Sequence, residues 1–282
     1  MLDFNNLDQV YSIAEIGINH NGDVGIAKRL IDAAFACGWD CVKFQKRQPD
    51  ICVPEHQKNV MRDTPWGRLR YIDYRKRIEF GGAEYDQIDA YCDQKPISWT
   101  GSVWDLPSLE FLLRYDVPLL KIPSAHITNL ELVTEVARSG QPVVASSGMS
   151  TMEELEACVD TIKKHCSNYV ILHCNASYPA PEDEVNIRTI QTLKEHFECP
   201  IGYSGHEYGL EPTVLAVALG AMVIERHITL DHDMWGTDQK SSIEIEGMDK
   251  LIRRIRAIPT ILGTAEKTVT PSEQTIRRKL RG

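Results

Sequence analysis

The stretch "LLKIPSAHITNLELVTEVARSGQPVVASS", residues 119–147, contains one complete structural unit. Short apolar runs at 118–123 and 142–146 are typical of buried strands. The segment between them has apolar residues at helical spacing, follows the helix-capping residue Asn129, and ends at Gly140, a common residue just past a helix C-terminus. The stretch therefore predicts a β-strand, an α-helix and a second β-strand.

The same pattern continues along the whole chain. Apolar runs predict eight strands, at 11–18, 41–45, 98–104, 118–123, 142–146, 169–174, 200–204 and 221–226. Each strand is followed by an amphipathic helical segment, which is the pattern of an α/β protein of the (β/α)8 TIM-barrel class. A doubly wound open sheet is the alternative, and the count of eight favours a closed barrel. We expect the catalytic barrel to occupy residues 1–265, with residues 266–282 forming a C-terminal tail.

Composition and charge exclude several classes of protein. The chain has 282 residues, 43% of them hydrophobic, and a formal net charge of −9. That charge argues against a nucleic-acid-binding protein. The sequence shows no secretory signal and no membrane span, and its eight cysteines form no CxxC pair. We therefore expect a cytoplasmic protein with reduced thiols and no membrane partner.

Polar residues stand near the carboxyl ends of all eight predicted strands. In a (β/α)8 barrel these ends meet at one mouth, where active sites lie. Helix capping explains Asn129 and Ser147 but does not explain two lysines and two histidines. In chain order the polar residues are Glu15 with Asn19, Lys43 with Gln45, Ser102, Lys121 with Ser124 and His126, Ser146 with Ser147, Asn175, Ser204 with His206, and Glu225 with His227.

Lys43 and Lys121 predict an anion-binding site. Both are expected to point into the mouth, and a buried lysine is costly unless an anion meets it. Two ammonium groups surrounded by serine hydroxyls suit a compact, multiply charged anion such as phosphate. A salt bridge from one lysine to Glu15 is the structural alternative.

His206 and His227 predict a metal site, because their strands are adjacent and their rings can approach a common point. Two imidazoles would form a weak, open site for a divalent cation that polarises a carbonyl group. Ordinary core histidines are the alternative. Asp238, just past the last strand, is placed to bind a sugar hydroxyl or to orient a metal-bound water.

Seven motifs together resemble the sialic acid (N-acetylneuraminate) synthase family: AEIGINHNGD, VKFQKR, KIPSAHITN, VVASSGMSTMEE, LHCNASYPAPEDEVN, GYSGHEYG and ERHITLD. The resemblance covers about residues 10–275. It implies a barrel that condenses phosphoenolpyruvate with an open-chain aldose, usually an N-acetylated hexosamine. The products are a 2-keto-3-deoxy sugar acid and phosphate. The resemblance also implies a divalent metal, manganese or magnesium, and a homodimer.

The resemblance assigns roles to individual residues. His206 and His227 would bind the metal. The phosphoenolpyruvate pocket would comprise Lys43, Ser102, Lys121, Ser124, Ser146 and Ser204. Residues lining the acceptor site would be Glu15, Gln45, Tyr178 and Asp238. Catalysis is expected to depend on Glu15, Lys43, Lys121 and Asp238, and further substrate contacts on His126 and Asn175.

Three features depart from the usual family pattern. Ala125 and His126 stand where the family usually has glycine and a glutamate that reaches the acceptor sugar. We therefore expect His126 to change which acceptor is used. Gly205 stands where an aspartate is usual. Family members commonly continue into a small antifreeze-like domain, and this sequence ends at Gly282, where the linker to that domain would begin.

Two other functions stay open at this point. A related condensation with a phosphorylated aldose, in the manner of the octulosonate-phosphate synthases, would need a second basic cluster. The segment 46–83 offers candidates: Lys46, Arg47, Arg62, Arg68, Arg70, Arg75, Lys76 and Arg77. The non-enzymatic alternative is a catalytically silent barrel that binds a sugar or a partner protein, and the intact lysines and histidines argue against it.

Overall fold

A computed structural model describes residues 2–282, and its main feature is a closed barrel of eight parallel strands in the order β1-β10-β9-β8-β7-β6-β5-β2. Two shorter strands, β3 and β4, pair as a separate antiparallel hairpin. The strands are β1 Tyr11–Gly17, β2 Cys41–Lys46, β3 Met61–Thr64, β4 Gly67–Arg70, β5 Ser98–Val103, β6 Leu120–Ile122, β7 Val143–Ser146, β8 Tyr169–Cys174, β9 Ile201–Gly205 and β10 Val223–His227.

Helices follow the barrel strands as the sequence predicts. The helices are α1 Val24–Ala36, α2 Pro49–Cys52, α3 Glu55–Lys58, α4 Tyr71–Ile78, α5 Gly82–Asp93, α6 Leu106–Leu112, α7 Leu130–Arg138, α8 Met152–Lys163, α9 Thr189–His196, α10 Glu211–Ala218, α11 Ile245–Leu262 and α12 Pro271–Arg281. Asn129 caps α7, its side chain accepting a hydrogen bond from the Leu132 amide. The (β/α)8 class is confirmed, and each predicted strand is present.

The segment between β2 and α5, residues 47–81, is more structured than the sequence suggests. It contains the β3–β4 hairpin together with α2, α3 and α4. We call this segment the β2–α5 insert. Tyr74 and Ile78 of α4 form a small buried cluster with Ile18, and Trp235 from the loop after β10 packs against that cluster. The insert is thereby held beside the mouth of the barrel.

The interior of the barrel has an apolar lower layer and a polar upper layer. Side chains alternate between the two faces of a strand, so residues two apart along a strand face the same way. At the lower level they form one buried apolar cluster that includes Ile13, Cys41, Val144, Leu172 and Val223. Residues at the carboxyl ends of the strands lie above this cluster and supply the polar groups of the mouth.

The C-terminal residues 266–282, predicted as a tail, contain α12. None of the α12 side chains is buried, and its last turn is basic, with Arg278, Lys279 and Arg281. The assignment of these residues as a unit separate from the barrel stays a prediction. Within residues 2–282, none of the helices has the length and apolar character needed to cross a bilayer.

Gly202 of β9 marks a position where the barrel has no room for a side chain. A Cβ added there would overlap the Val223 carbonyl oxygen and the side chain of Leu172. We expect Gly202→Ala to lower the free energy of unfolding by about 1–3 kcal/mol or more in urea denaturation. Gly82→Ala is the control, because a Cβ at that position of α5 meets nothing within 4 Å. Equal stability changes in the two variants would contradict this packing.

Candidate active site

Four charged side chains meet inside the mouth, all of them buried. Lys43 Nζ lies 2.6 Å from Glu15 Oε2 and 3.6 Å from Glu225 Oε1. Lys121 Nζ lies 3.3 Å from the same Glu225 oxygen. One carboxylate oxygen of Glu225 therefore serves both lysines. Within the protein, the anion that meets Lys121 is Glu225.

Burial and pairing together set the protonation of these groups. Burial acts against the charged form of Glu225, but Lys121 and Lys43 outweigh it and hold the pKa of this carboxyl below its usual value. Burial raises the pKa of Glu15, and the neighbouring Glu225 adds to the rise, against the opposing effect of Lys43. Burial also lowers the pKa of Lys121, because Glu225 offsets it only partly. Glu15 is thus the carboxyl in this set that takes a proton most readily.

Serine hydroxyls surround the two lysines. The Ser102 hydroxyl accepts a hydrogen bond from Lys43 Nζ at 2.9 Å, and Ser204 donates one to Glu225 Oε1 at 3.3 Å. Ser124 accepts a hydrogen bond from the Gly148 amide at 3.0 Å. Ser146 Oγ and Glu225 Oε2 are buried without a hydrogen-bond partner among residues 2–282. Leaving such groups unpaired costs about 1–3 kcal/mol each, so the site favours a polar ligand.

These groups line a cavity of about 160 Å³. Its size suits a compact substrate, and it opens at the carboxyl ends of the strands. It brings together most of the residues predicted from sequence: Glu15, Lys43, Gln45, Ser102, Lys121, Ser124, Ser146, Tyr178, Ser204, His206 and His227. Their functional roles stay predictions.

The two histidines converge on one point in this cavity. The Tyr178 hydroxyl oxygen lies 2.7 Å from His206 Nε2 and 3.4 Å from His227 Nε2. The His206 ring is held by its Nδ1, which lies 2.6 Å from the Asn175 carbonyl oxygen. Burial lowers the pKa of His206 to about 3 and that of His227 to about 4. Both imidazoles are therefore neutral at pH 7, the form that can coordinate a metal.

This arrangement fits two ligands of an open metal site. Both Nε2 atoms point to a common place, while His227 Nδ1 lies 4.0 Å from a carboxylate oxygen of Asp238 and has no hydrogen-bond partner among residues 2–282. No group of three or more histidine, cysteine or acidic side chains suited to a metal occurs in the part of the chain that the structure describes. A cation held here would keep most of its coordination positions for water or substrate.

Three predicted site residues lie outside the cavity lining. The Asn175 side chain turns into its own loop and donates to the Glu184 carbonyl at 3.2 Å. Asp238 lies behind His227. His126 packs edge-on against Trp104, with ring centroids 5.2 Å apart. Ala125 lines the cavity next to it, and the expected contact of His126 with the acceptor stays a prediction.

Glu225 is the residue that sequence reasoning missed. It was recognised as a polar strand end but was not assigned to the site. Glu225 and His227 are two apart and so face the same way, into the barrel. Arg226 between them faces outward, where its Nη1 lies 2.9 Å from Glu207 Oε1. This alternation, together with two inward-facing lysines and only Glu15 considered as a counter-charge, is the signal that could have identified Glu225 as their second partner.

Comparison with known proteins identifies the family. The sequence profile of the NeuB family matches residues 30–267. The chain belongs to the NeuB family. Human N-acetylneuraminate-9-phosphate synthase is 36% identical over 273 residues, which cover 96% of this chain and 76% of that protein. N,N'-diacetyllegionaminic acid synthase of Legionella pneumophila is 36% identical over 282 residues, covering 96% and 78% of the two chains.

A solved sialic acid synthetase structure has the same fold. The crystal structure of N-acetylneuraminic acid (sialic acid) synthetase from Leptospira borgpetersenii serovar Hardjo-bovis, in complex with citrate, matches with a TM-score of 0.86 at 35% identity. The match covers 97% of this chain and 93% of that one. The predicted family and the prediction that the chain is an enzyme are confirmed.

Replacing Glu225 tests whether it is the partner of both lysines. Glu225→Gln keeps the shape but removes the charge, leaving Lys121 buried without a carboxylate. We expect the free energy of unfolding to fall by about 3–5 kcal/mol, the usual cost of breaking a buried ion pair. Ser204→Ala removes only a neutral donor to the same oxygen and should cost about 1 kcal/mol. The interpretation fails if Glu225→Gln matches wild type in urea denaturation.

Proposed function

We propose that this protein condenses phosphoenolpyruvate with an open-chain aldose, giving a 2-keto-3-deoxy sugar acid and inorganic phosphate. One observation carries the proposal. The same cavity contains two buried lysines, both in contact with one oxygen of Glu225, and two imidazoles that converge on one point. The relatives are named as synthases of nine-carbon sugar acids, which supports an N-acetylhexosamine-like acceptor.

The geometry of the lysines supports phosphoenolpyruvate as the anion. Charge-assisted N–H···O bonds are usually about 2.7–2.9 Å long. The lysine contacts to Glu225 are longer, at 3.3 and 3.6 Å. Lys43 also makes short contacts to Glu15 and Ser102, so one of its three donors remains for a ligand, whereas Lys121 keeps more. The unpaired hydroxyl of Ser146 adds a further donor. A phosphate or carboxylate between the lysines would replace these long contacts with short ones.

His206 and His227 would hold a divalent cation, manganese or magnesium. Bound there, the cation would supply Lewis-acid polarisation of the aldehyde oxygen. The Asn175 carbonyl oxygen orients the His206 ring, and Asp238 lies 4.0 Å from His227 Nδ1. Gln45, which donates to Glu15 at 3.0 Å, lies on the same wall and is placed to contact the acceptor.

In the proposed reaction C3 of phosphoenolpyruvate attacks the aldehyde carbon, and one carbon–carbon bond forms. The aldehyde oxygen gains a proton and becomes a hydroxyl, and water adds at C2 of the resulting oxocarbenium ion. The C2–O bond to phosphate then breaks, the new C2 hydroxyl loses its proton, and C2 becomes the ketone of the product. Lys43 and Lys121 offset the negative charge of the phosphate throughout. Glu15, whose pKa is raised by burial, is the group placed to take the proton that the water loses.

Phosphate release from phosphoenolpyruvate, measured over a panel of aldoses with manganese present, tests this function directly. Release that depends on both substrates, with a sugar acid as the second product, would support it. Failure with every aldose would refute it. The expectations of a cytoplasmic location and a homodimer stay predictions.

Lys43→Met and Lys121→Met should each weaken phosphoenolpyruvate binding by about 2–5 kcal/mol, because each removes a cation from a largely desolvated anion site. Methionine keeps most of the aliphatic stem, so the fold should survive. Isothermal calorimetry measures the binding. Lys164→Met, at an exposed position after α8, is the control of equal charge change. Normal binding by both active-site variants would show that the anion binds elsewhere.

Chelation should abolish phosphate release, and manganese or magnesium should restore it, because the aldehyde oxygen then lacks its polarising group. His206→Gln and His227→Gln should each lower manganese affinity by about tenfold or more, measured by manganese titration of the free protein. His196→Gln, at an exposed position on α9, should leave the affinity unchanged. Full activity after thorough chelation would rule out the metal.

A further inference from the structure

A second group of cations lies beside the catalytic cavity, at the base of the β2–α5 insert. Most basic residues of this region are exposed or paired, as Arg70 is with Asp73 at 2.6 Å and Lys76 with Asp50 at 2.7 Å. Arg47 and Arg75 are different, with only 8% and 5% of their surfaces exposed. Two buried arginines with few partners need an explanation, because an unpaired buried charge is costly.

The guanidinium groups of Arg47 and Arg75 contact aromatic rings but make few polar contacts. Arg47 Nε lies 3.7 Å from Glu79 Oε2, too far for a hydrogen bond, and Glu79 also serves Lys46 at 3.3 Å. Arg75 pairs with no carboxylate in residues 2–282. Arg47 Nε, Arg47 Nη2 and Arg75 Nη2 are all buried without a hydrogen-bond partner among those residues.

Arg47 and Arg75 are two like charges buried near each other. Burial and the nearby Arg75 lower the pKa of Arg47 to about 10, and Glu79 and Asp238 offset that effect only partly. Arg47 therefore stays protonated at pH 7. His20, whose pKa burial lowers to about 3, is neutral. The repulsion between the two buried guanidinium groups favours an anion beside them.

Arg75 lines a second cavity, of about 610 Å³, between the insert and the loop after β10. Its walls include Tyr71, Tyr74 and Trp235, and exposed Arg62 stands at its rim. Two exposed carboxylates, Asp63 and Asp233, also line it. Aromatic walls with a buried guanidinium suit a sugar that carries an anionic group.

The second cavity adjoins the catalytic one. Thr237 lines it, and the next residue, Asp238, has its carboxylate 4.0 Å from His227 Nδ1. On the other side, Arg47 Cζ lies 4.4 Å from the ring centroid of Trp104, which lines the catalytic cavity. Arg75 thus lines the second cavity next to the segment that carries Asp238, and Arg47 lies against Trp104 at the wall of the catalytic cavity.

We propose that the acceptor is a phosphorylated aldose, and that Arg75 together with Arg47 binds the phosphate at the end of the sugar remote from the aldehyde. The inference rests on the proposed condensation, which places the aldehyde carbon next to His206 and His227. The far end of the acceptor does not react and needs its own site. A phosphate monoester matches the planar, multiple donors of arginine better than a neutral hydroxymethyl group does.

The carbon count of the reaction agrees with this placement. Phosphoenolpyruvate contributes three carbons, so C6 of a hexose acceptor becomes C9 of the product. The human relative is named for a product with phosphate at that position. For this chain, the inference depends on the buried Arg47 and Arg75 of the insert.

The test compares N-acetylmannosamine with its 6-phosphate in the manganese-loaded wild-type protein. We expect kcat/KM to be at least about 30-fold higher for the phosphorylated sugar, since one charged pair in a desolvated site is typically worth that factor or more. The uronic acid of N-acetylmannosamine is the third substrate in this comparison, because it carries a carboxylate in place of the phosphate. Equal use of the neutral sugar, or a preference for the uronic acid, would overturn the proposal.

Variants locate the site. Arg75→Met should lower kcat/KM for the 6-phosphate by about 30-fold or more, leaving the neutral sugar and the KM for phosphoenolpyruvate within about threefold of wild type. Arg75→Lys should keep part of the preference. Arg68→Met, an exposed position on β4, is the control of equal charge change. An equal loss for both sugars in Arg75→Met would overturn the assignment.

Direct binding separates this inference from the proposed function. Calorimetric titration of N-acetylmannosamine 6-phosphate alone needs no turnover. If no aldose supports phosphate release but the sugar phosphate binds in an Arg75-dependent way, the condensation is refuted and the phosphate site stands. Absence of binding would overturn the site. If Arg75→Met does not fold, the wild-type comparison of the two sugars decides the matter by itself.

Discussion

The candidate active site depends on one oxygen atom of Glu225 that lies within reach of both Lys43 and Lys121. Four charges can be buried together above an apolar layer only because they offset one another. Strand register produces this arrangement, since Glu15 stands beside Lys43 on β2 and beside His227 on β10. A slip of one residue in any of these strands would turn its charged group to the outer face. The strand register therefore determines whether the four buried charges can offset one another.

The barrel and the identity of its polar mouth could be predicted from sequence, because both follow from local patterns. Period-two alternation marks the strands, and an interruption such as Lys121 in an apolar run stands out. The β2–α5 insert could not be predicted in the same way. Its strands have four residues each, and its apolar cluster is completed by Ile18 and Trp235 from distant parts of the chain.

His126 shows that position in the sequence does not fix the direction of a side chain. It follows Ser124, and residues Ser124–His126 form a single 3-10 turn. Successive side chains in such a turn point about 120° apart, so neighbours cannot all face the cavity. Asn175 lies outside the cavity lining for a different reason, because its side chain bonds to a carbonyl nine residues away in the same loop. In both cases the residue type was informative and the direction of the side chain was not.

The separate packing of the β2–α5 insert has a consequence for how such enzymes diverge. Its cluster around Tyr74 and Ile78 shares no member with the apolar layer beneath the four charges. Substitutions within this cluster therefore leave the apolar layer beneath the four charges unchanged. With the acceptor bound as proposed, the choice of sugar and the bond-forming chemistry would depend on different sets of residues, and selection could change one set while keeping the other.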